Sequence, residues 1–438
     1  MSRRTLDEWL AYQLRVHALG VDLGLARVRE VWRRMGAPPV APIVITVGGT
    51  NGKGSTVAFL EAMLDAAGKR IGCYTSPHLL RYNERVRVAA QDADDAVLID
   101  AFERIESARV DISLTYFEFG TLAALWIFAH SGLDAAILEV GLGGRLDAVN
   151  IIDADAALVT TVDLDHQDWL GNDRDSIARE KAGIFRGGRP AIIGDADAPM
   201  ALVQAAGQAR ANLFCAGRDY RMVTNARDWS WHAADLQLVL PNPSLAAPVQ
   251  RANAAAAIAT LYTLRERMNV GADAFASGVR NARIAARLQR FGKPGAAELV
   301  IDVAHNPQAA RVLAQWLDDH RVDAAEARGR NLAVFGALAD KDIAGISAPL
   351  APLITRWFVG GLDADTPRGL AAADLAARMT NTVAHVDIET HAAIAQALDA
   401  AARAARESDR ILAFGSFFVA AAALDWARLN GFRTVDIG

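Results

Sequence analysis

The sequence predicts an α/β protein, in which a P-loop-type ATPase domain with a mainly parallel sheet precedes a smaller Rossmann-like α/β domain. Short apolar runs alternate with longer helical patterns, which is typical of a parallel sheet covered by helices on both faces. A glycine-rich turn follows the first run, and the alternation resumes after a late break in the chain. The predicted strands are at 43–47, 135–140, 156–162 and 190–193, and again at 298–303, 332–335, 356–359 and 410–414.

The late break is Gly292-Lys293-Pro294-Gly295. Glycine and proline together interrupt both helices and strands, so this segment is the best candidate for a domain boundary. A chain of 438 residues is long enough for two or three domains. We predict an N-terminal domain over residues 1–289 and a C-terminal domain over residues 290–438.

Composition excludes several classes of protein. Hydrophobic residues make up 52% and charged residues 22%, which excludes wholesale disorder, and a net charge of −5 argues against a nucleic-acid-binding surface. Two cysteines fit a reducing compartment, and the most apolar late run, 411–424, is too short to span a bilayer. We expect a cytoplasmic monomer that binds small molecules, and neither nucleic acid nor a membrane.

The most informative motif is Gly48-Gly49-Thr50-Asn51-Gly52-Lys53-Gly54-Ser55-Thr56, which lies between a predicted strand and a predicted helix. In such a loop, backbone N–H groups and the helix N-terminus surround phosphate oxygens. Lys53 would neutralise the β- and γ-phosphates, and Ser55 or Thr56 would offer a hydroxyl to Mg²⁺. A ligand-free glycine turn is the alternative. The predicted nucleotide-contacting residues are Thr50, Asn51, Gly52, Lys53, Gly54 and Ser55.

Three further polar residues follow predicted strands or end a helical pattern. Glu139 ends a buried run before Gly-Leu-Gly-Gly, where a carboxylate would be costly unless it binds metal or pairs with Arg145. His166 follows the next run, where ligands of parallel sheets bind, but a single histidine can equally be structural. Lys181 ends a helical pattern, and a solvated helix lysine is its simpler interpretation. From the residues alone, these alternatives stay open.

Six motifs in this order resemble one family. The sequence is similar to the folylpolyglutamate synthase family, and more narrowly to its bacterial bifunctional dihydrofolate synthase/folylpolyglutamate synthase members, within the Mur ligase superfamily. The resemblance covers nearly the whole chain. The motifs are Gly49–Ser55, Thr75–Leu79, Leu138–Ala148, Asp165–Gly171, Glu180–Phe185 and Asp302–Pro307.

The resemblance implies roles for individual residues. Ser76, Glu139 and His166 match Mg²⁺ ligands, joined by Ser55, and Lys181 matches a lysine that carries a carbamate. Lys53, Lys181, His166 and Arg287 match catalytic residues, while Asn253, Arg287 and Asp302 match contacts of ATP. The implied substrate-binding residues are Asp22, Leu23, Gly24, Leu25, Thr115, Tyr116, Phe117, Glu118, Leu146, Asp147, Ala148 and His305, and Asn306 lies in the same C-terminal motif as His305.

The implied activity is ATP-dependent ligation. The family adds L-glutamate to 7,8-dihydropteroate, forming dihydrofolate, and to reduced folates, forming folylpolyglutamates, through an acyl-phosphate intermediate. Mg²⁺ is the implied cofactor, and closure of the domains would protect the intermediate from water. No base for the glutamate ammonium group is evident, and His305 is a weak candidate.

The chain departs from the family pattern at two places. Ala285-Ala286 precede Arg287, where relatives usually have Pro-Gly, and Ala339 stands where relatives often have His. Three other interpretations remain: a peptidoglycan-precursor ligase, a P-loop switch or binding protein, and a structural α/β protein with a vestigial loop. The first needs an extra N-terminal domain, for which a phosphate loop that begins at residue 48 leaves no room.

Overall fold

The structure is a computed structural model that describes residues 4–225, 228–320, 329–380, 382–383 and 387–435. Its α/β class and mostly parallel sheets confirm the predicted fold class. The chain divides into two compact units: residues 1–243 with 251–283, and residues 244–250 with 284–438.

The first unit is built on an eight-stranded sheet in the order β4-β3-β2-β5-β1-β6-β7-β8. Its strands pair in parallel except at one edge, where β3 runs antiparallel to both β2 and β4. The central strands β1 and β5 are buried along their whole length, because helices cover both faces. The strands are β1 Val44–Gly48, β2 Ile71–Tyr74, β3 Val86–Val88, β4 Gln91–Asp92, β5 Ala135–Glu139, β6 Ala156–Val159, β7 Pro190–Ile193 and β8 Asn212–Cys215.

Several helices of this unit begin at a side-chain cap or at a glycine. Thr5 and Thr115 each form a capping box, so α1 and α5 begin directly after them. A separate antiparallel sheet holds β9 Arg221–Thr224, β10 Asp228–His232 and β11 Gln237–Pro241. The helices are α1 Leu6–Val16, α2 Ala26–Arg34, α3 Lys53–Ala66, α4 Asp95–Arg109, α5 Tyr116–Ala129, α6 Gln167–Leu170, α7 Arg174–Ala182, α8 Met200–Gln208, α9 Gln250–Thr263 and α10 Ala272–Asn281.

The second unit contains a seven-stranded sheet in the order β16-β15-β14-β17-β13-β12-β18. β12 is antiparallel to both of its neighbours, and the remaining pairs are parallel. The strands are β12 Gln289–Gly292, β13 Glu298–Ile301, β14 Asn331–Phe335, β15 Arg356–Gly360, β16 Asp387–His391, β17 Arg410–Phe414 and β18 Arg433–Thr434. The helices are α11 Pro307–Asp319, α12 Ile343–Ser347, α13 Ala372–Met379, α14 Ile394–Ala404 and α15 Phe417–Leu429.

The late Gly-Lys-Pro-Gly break is a hairpin turn inside the second unit. It joins β12 to the antiparallel β13, so proline and glycine end a strand there rather than link two units. The compact units change over between residues 283 and 284. The apolar run at 411–424 forms most of β17 and the first half of α15, and in the described part of the chain no helix is long and apolar enough to cross a membrane.

Candidate active site

The loop between β1 and α3 has the geometry of a phosphate cradle. Gly49 and Gly52 have φ angles of 142° and 83°, a region that favours glycine, and Gly52 caps α3. Lys53 opens the helix, and its Nζ donates to the carbonyl oxygens of Gly49 and Thr50, each at 3.0 Å. The ammonium group therefore lies over the loop that would surround the phosphates.

The chain that follows β6 holds the loop in place. Thr50 N donates to Thr161 O at 2.8 Å, and Thr50 Oγ1 contacts the backbone O and N of Asp163 at 3.1 and 3.0 Å. Thr160 Oγ1 donates to Asn51 O at 2.6 Å. These bonds join the loop to the chain after β6, so the loop is preorganised before a nucleotide arrives.

Two glycines of the loop cannot carry a side chain. A Cβ at Gly49 would lie 1.9 Å from Thr160 Oγ1, and a Cβ at Gly52 would lie 2.5 Å from Asn253 Oδ1. The second contact brings Asn253, at the start of α9, directly against the loop. Asn253, one of the predicted ATP contacts, thus lies beside the predicted contacts of the phosphate loop.

Two of the predicted metal ligands are neighbours. Ser76 N donates to Glu139 Oε2 at 3.1 Å, and the Glu139 side chain is buried at the end of β5. Of the two hydroxyl candidates in the loop, Thr56 Oγ1 donates to Gly52 O at 2.9 Å within the helix, and Ser55 is 2% exposed at the first turn. Thr56 Oγ1 is therefore already hydrogen-bonded within α3.

His166 lies at a sharp turn after β6. Its φ angle is 51°, its N–H donates to Asp165 Oδ1 at 2.9 Å, and its side chain is 36% exposed. Among the described residues, no group of three or more His, Cys, Asp or Glu side chains could hold a metal. The predicted set contains only two residues of those types, so hydroxyls, phosphates and water would have to complete it, as is usual for Mg²⁺.

Lys181 is not a solvated helix lysine. It lies in the last turn of α7 and is only 3% exposed. Burial, reinforced by the positive charge of Lys53, lowers the pKa of Lys181 to about 7, although Asp165 and Asp147 oppose the shift. At pH 7 about half of such amines are neutral. The neutral amine is nucleophilic, which is the property that a lysine needs to react with CO₂.

A buried carboxylate lies in the predicted ring pocket. Asp147 accepts hydrogen bonds from Leu142 N at 2.8 Å and Val149 N at 3.0 Å. Burial raises the pKa of Asp147 to about 6, although these backbone N–H groups oppose the shift. A Cβ on Gly141 would lie 2.6 Å from Phe117 Cζ and 3.3 Å from Asp147 Oδ2. The Phe117 ring and the Asp147 carboxylate of the predicted pocket therefore meet at Gly141.

An arginine joins the two predicted pterin-binding segments, and sequence reasoning missed it. Arg27 Nη1 lies 2.6 Å from Asp22 Oδ2, and Arg27 Nη2 donates to Glu118 Oε1 at 3.2 Å. Glu118 also accepts from Thr115 N at 2.8 Å. Among the remaining predicted residues of this pocket, Ala148 is buried. The others are partly exposed, namely Leu23, Gly24, Leu25, Tyr116 and Leu146.

Arg85 is a second residue that sequence reasoning missed. It is 8% exposed, and its Nε donates to His78 Nδ1 at 2.8 Å. Burial, reinforced by the Arg85 charge, lowers the pKa of His78 to about 4, so His78 is a neutral acceptor. No signal in the sequence pointed to Arg85, because its place in the segment that begins with Ser76 does not indicate burial.

The second unit places its predicted residues around the end of β13. Asp302 accepts from Leu288 N and Ala304 N, both at 2.7 Å. Desolvation raises the pKa of Asp302, although the charge of Arg287 opposes the shift. The Arg287 guanidinium lies 5.5 Å from the ring centroid of Phe417. Arg287 and Asp302 are thus close to each other.

The predicted cleft motif continues into α11. His305 Nδ1 donates to Val303 O at 2.8 Å, and Asn306 caps α11 by accepting from Ala309 N at 3.0 Å. Ala286, which stands where relatives usually have Gly, has a φ of 55°. A left-handed conformation costs a non-glycine residue roughly 1–2 kcal/mol. The departure from Pro-Gly therefore leaves the turn before Arg287 in the shape that glycine would favour.

Comparison with known proteins defines the class and then the family. Residues 47–238 match the Mur ligase middle domain, and residues 286–417 match the Mur ligase, glutamate ligase domain. With the phosphate loop and the mostly parallel sheets, these matches define a Mur ligase. A dihydrofolate synthase/folylpolyglutamate synthase from Escherichia coli strain K12 is 44% identical over 95% of this chain and 94% of its own. The chain belongs to the dihydrofolate synthase/folylpolyglutamate synthase family, as predicted.

Two solved structures of the family resemble this one closely. E. coli FolC in complex with DHPP and ADP has a TM-score of 0.90 at 42% identity and covers 98% of this chain and 99% of its own. A bifunctional folylpolyglutamate synthase/dihydrofolate synthase with Mn, AMPPNP and L-glutamate bound has a TM-score of 0.87 at 42% identity, and coverage is 98% of both chains. The relatives therefore bind a nucleotide, a divalent metal and glutamate with this fold.

Proposed function

We propose that this chain is an ATP-dependent ligase that adds L-glutamate to 7,8-dihydropteroate and to reduced folates. The observation that carries the proposal is the environment of Lys181. Its charge interacts with Lys53 of the phosphate loop and with Asp147 of the ring pocket. The phosphate loop and the ring pocket therefore both lie near Lys181, so ATP and a pterin acid would bind to one site of the first unit.

The reaction has two steps. A carboxylate oxygen of the acceptor attacks the γ-phosphorus of ATP, and ADP leaves with the electrons of the broken P–O bond. The amine of L-glutamate then attacks the acyl carbon, inorganic phosphate leaves, and the amine proton passes to solvent or to a base. Lys53 and the backbone N–H groups of the loop stabilise the negative charge that develops on the transferred phosphoryl group.

The residues present fit a Mg²⁺ site. The set offers two hydroxyls, a carboxylate and an imidazole, from Ser55, Ser76, Glu139 and His166. The hydrogen bond from Ser76 N to Glu139 joins the segment after β2 to the end of β5. Oxygen-rich sets of this kind are preferred by Mg²⁺, which keeps water and phosphate as further ligands. When bound there, Mg²⁺ would neutralise phosphate charge and orient the γ-phosphate.

We further propose that Lys181 carries a carbamate. The neutral amine adds to CO₂ and loses a proton, which converts a buried cation into a buried anion. Its contacting atoms would then be carboxylate oxygens. An anion beside Lys53 is electrostatically favourable, whereas the cation that it replaces is repelled by Lys53. The carbamate would position Lys53 or water on the phosphate side of the site.

The ring pocket would select a pterin. Phe117 offers an aromatic face beside Gly141, and the Asp147 carboxylate would accept hydrogen bonds from ring N–H groups. Arg27 holds Asp22 and Glu118 together, so it positions the segment Asp22–Leu25 against the pocket.

The family resemblance also implies nucleotide and substrate contacts in the second unit. We assign Asn253 of the first unit, together with Arg287 and Asp302, to ATP, and we assign His305 to the acceptor or glutamate. These assignments rest on the family resemblance. The cytoplasmic location and the monomeric state stay predictions.

A substrate-matrix assay tests the proposal. Purified protein is given ATP, Mg²⁺ and L-glutamate with dihydropteroate, with tetrahydrofolate, or with a nucleotide-linked muramyl peptide, and phosphate release and product mass are measured. We expect turnover with both pterin acids and none when any component is omitted. Turnover with the muramyl acceptor alone would favour a peptidoglycan-precursor ligase, and nucleotide binding without turnover would favour a switch protein.

A further inference from the structure

Arg85 is a buried cation in a mostly aromatic environment. It ends a short 3-10 turn, Tyr82–Arg85, and is 8% exposed. Its guanidinium carbon lies 5.3 Å from the ring centroids of both Tyr82 and Tyr116. Its Nε donates to His78 Nδ1 at 2.8 Å. The guanidinium group has five N–H donors, and these contacts use one of them.

The described residues provide no carboxylate that forms an ion pair with Arg85, although its neighbours in the chain are paired. Arg87 lies 2.7 Å from Glu61, and the exposed Arg81 lies 3.1 Å from Asp95. The carboxylate of the adjacent Glu84 does not pair with Arg85. It accepts hydrogen bonds from the backbone N–H groups of Leu79, Leu80 and Arg81. A buried guanidinium without a counter-ion is costly, and aromatic faces compensate only part of that cost.

The position of Arg85 connects it to the proposed acceptor site. Tyr116 directly precedes Phe117, whose ring packs on Gly141 beside Asp147. The segment that carries Arg85 begins at Ser76, whose N–H donates to Glu139. Arg85 therefore contacts α5, the helix that carries Phe117 of the ring pocket. It also belongs to the segment that begins at Ser76, beside Glu139.

The chemistry of the two acceptors identifies the missing anion. Dihydropteroate has one carboxylate, and that group is consumed as the acyl phosphate. A reduced folate has two carboxylates on its glutamate, of which the γ-carboxylate reacts and the α-carboxylate does not. We propose that Arg85 binds the non-reacting α-carboxylate of glutamylated acceptors, and that it therefore determines specificity in the second ligation only. This inference rests on the proposed function.

The test compares both acceptors in variants of one segment. Arg85→Gln removes the cation, Arg85→Lys keeps the charge but not the fork of donors, and Arg81→Gln is the control on an exposed arginine. We expect Arg85→Gln to lower kcat/KM for tetrahydrofolate by about 10- to 100-fold, mainly through KM, because a charge-assisted hydrogen bond is lost. With dihydropteroate, kcat/KM should stay within about threefold of the wild type, and Arg85→Lys should fall between the two.

A second measurement needs no variant, so misfolding of Arg85→Gln cannot obscure the result. Wild-type protein is assayed with tetrahydrofolate and with its α-carboxamide, which keeps the reacting γ-carboxylate. We expect kcat/KM to fall by about 10- to 100-fold for the amide. Equal turnover of acid and amide, or an equal loss of both ligations in a folded Arg85→Gln, would overturn the assignment. If the wild type ligates neither acceptor, the proposed function itself fails.

Discussion

Replacing Lys181 with arginine tests directly whether Lys181 carries the proposed carbamate. Arginine stays protonated at every pH at which the protein is folded, so it cannot add to CO₂. Lys181→Arg keeps a long cationic side chain at a position that is 3% exposed. The substitution therefore removes the modification and keeps a side chain of similar length, but it places a fixed cation where the carbamate would be an anion.

The pKa of Lys181 determines the fraction of side chains that can react with CO₂. With a pKa of about 7 for Lys181, about three quarters of the side chains are neutral near pH 7.5, against about one in a thousand for a lysine of ordinary pKa. Burial thus raises the reactive fraction by several hundredfold. Because the folded-state pKa is lowered, the neutral amine is lost as pH falls through about 7, and carbamate formation slows in that direction.

The assay measures ligation and the modification separately. We expect Lys181→Arg to lower kcat by about 100-fold, which is the upper end of losses for groups that orient metal ligands and phosphates. Lys293→Arg, on an exposed lysine of the second unit, should behave as the wild type. With ¹³C-bicarbonate, the wild type should give a carbamate carbonyl signal by NMR that Lys181→Arg lacks, and removal of CO₂ should lower wild-type activity reversibly.

The reasoning would be refuted by a Lys181→Arg variant with near-normal kcat. It would also be refuted by a wild-type protein that gives no carbamate signal and keeps full activity without CO₂. Either result would leave Lys181 as a buried neutral amine with no role as an anion.

Three further predictions concern the phosphate loop and the ring pocket. Lys53→Ala should lower ligation by about 100- to 1000-fold, because developing phosphate charge loses its main side-chain partner; a near-normal rate of phosphate release would contradict this. Gly52→Ala should weaken nucleotide binding in a folded protein, measured by calorimetry, because its Cβ would lie 2.5 Å from Asn253 Oδ1; unchanged affinity would contradict this. The pKa of Asp147 is about 6, and an ionised carboxylate is needed to accept ring N–H bonds, so KM for dihydropteroate should rise as pH falls below about 6, and Asp147→Asn should lose that dependence; the same profile in both proteins would contradict this.

The sheet could be predicted from sequence because its central strands are buried on both faces. Such strands form continuous apolar runs between glycine-rich turns, and β1, β5, β6 and β7 each coincide with a predicted run. The edge strands β3 and β4 are only three and two residues long, and no pattern indicated them. The antiparallel sheet of β9–β11 was also missed, because β9 and β11 carry exposed residues and no continuous apolar run marks them, although the central strand β10 is largely buried.

The boundary between the units was harder to predict. Gly292-Lys293-Pro294-Gly295 combines the residues of a linker with those of a tight hairpin, and local composition does not distinguish the two. The pairing of β12 with β13 depends on contacts with the rest of the sheet. The changeover between residues 283 and 284 has no glycine or proline to signal it.

The candidate site could be predicted where chemistry is local and not where it depends on distant contacts. The strand–turn–helix context around Lys53 indicated a phosphate cradle directly. The hydrogen bond from Thr56 Oγ1 to Gly52 O within α3 could not be read from the sequence. Arg27 and Arg85 gave no signal, because burial and the absence or presence of a carboxylate partner arise only when segments remote in sequence come together.

The central claim is that ATP activates the acceptor acid as an acyl phosphate. Dihydropteroate labelled with ¹⁸O in its carboxylate tests this directly, with the released phosphate measured by mass spectrometry. The account predicts that one labelled oxygen passes from each acid to each phosphate, because the oxygen that attacks phosphorus leaves with it. Phosphate released without label, in step with amide formation, would contradict it.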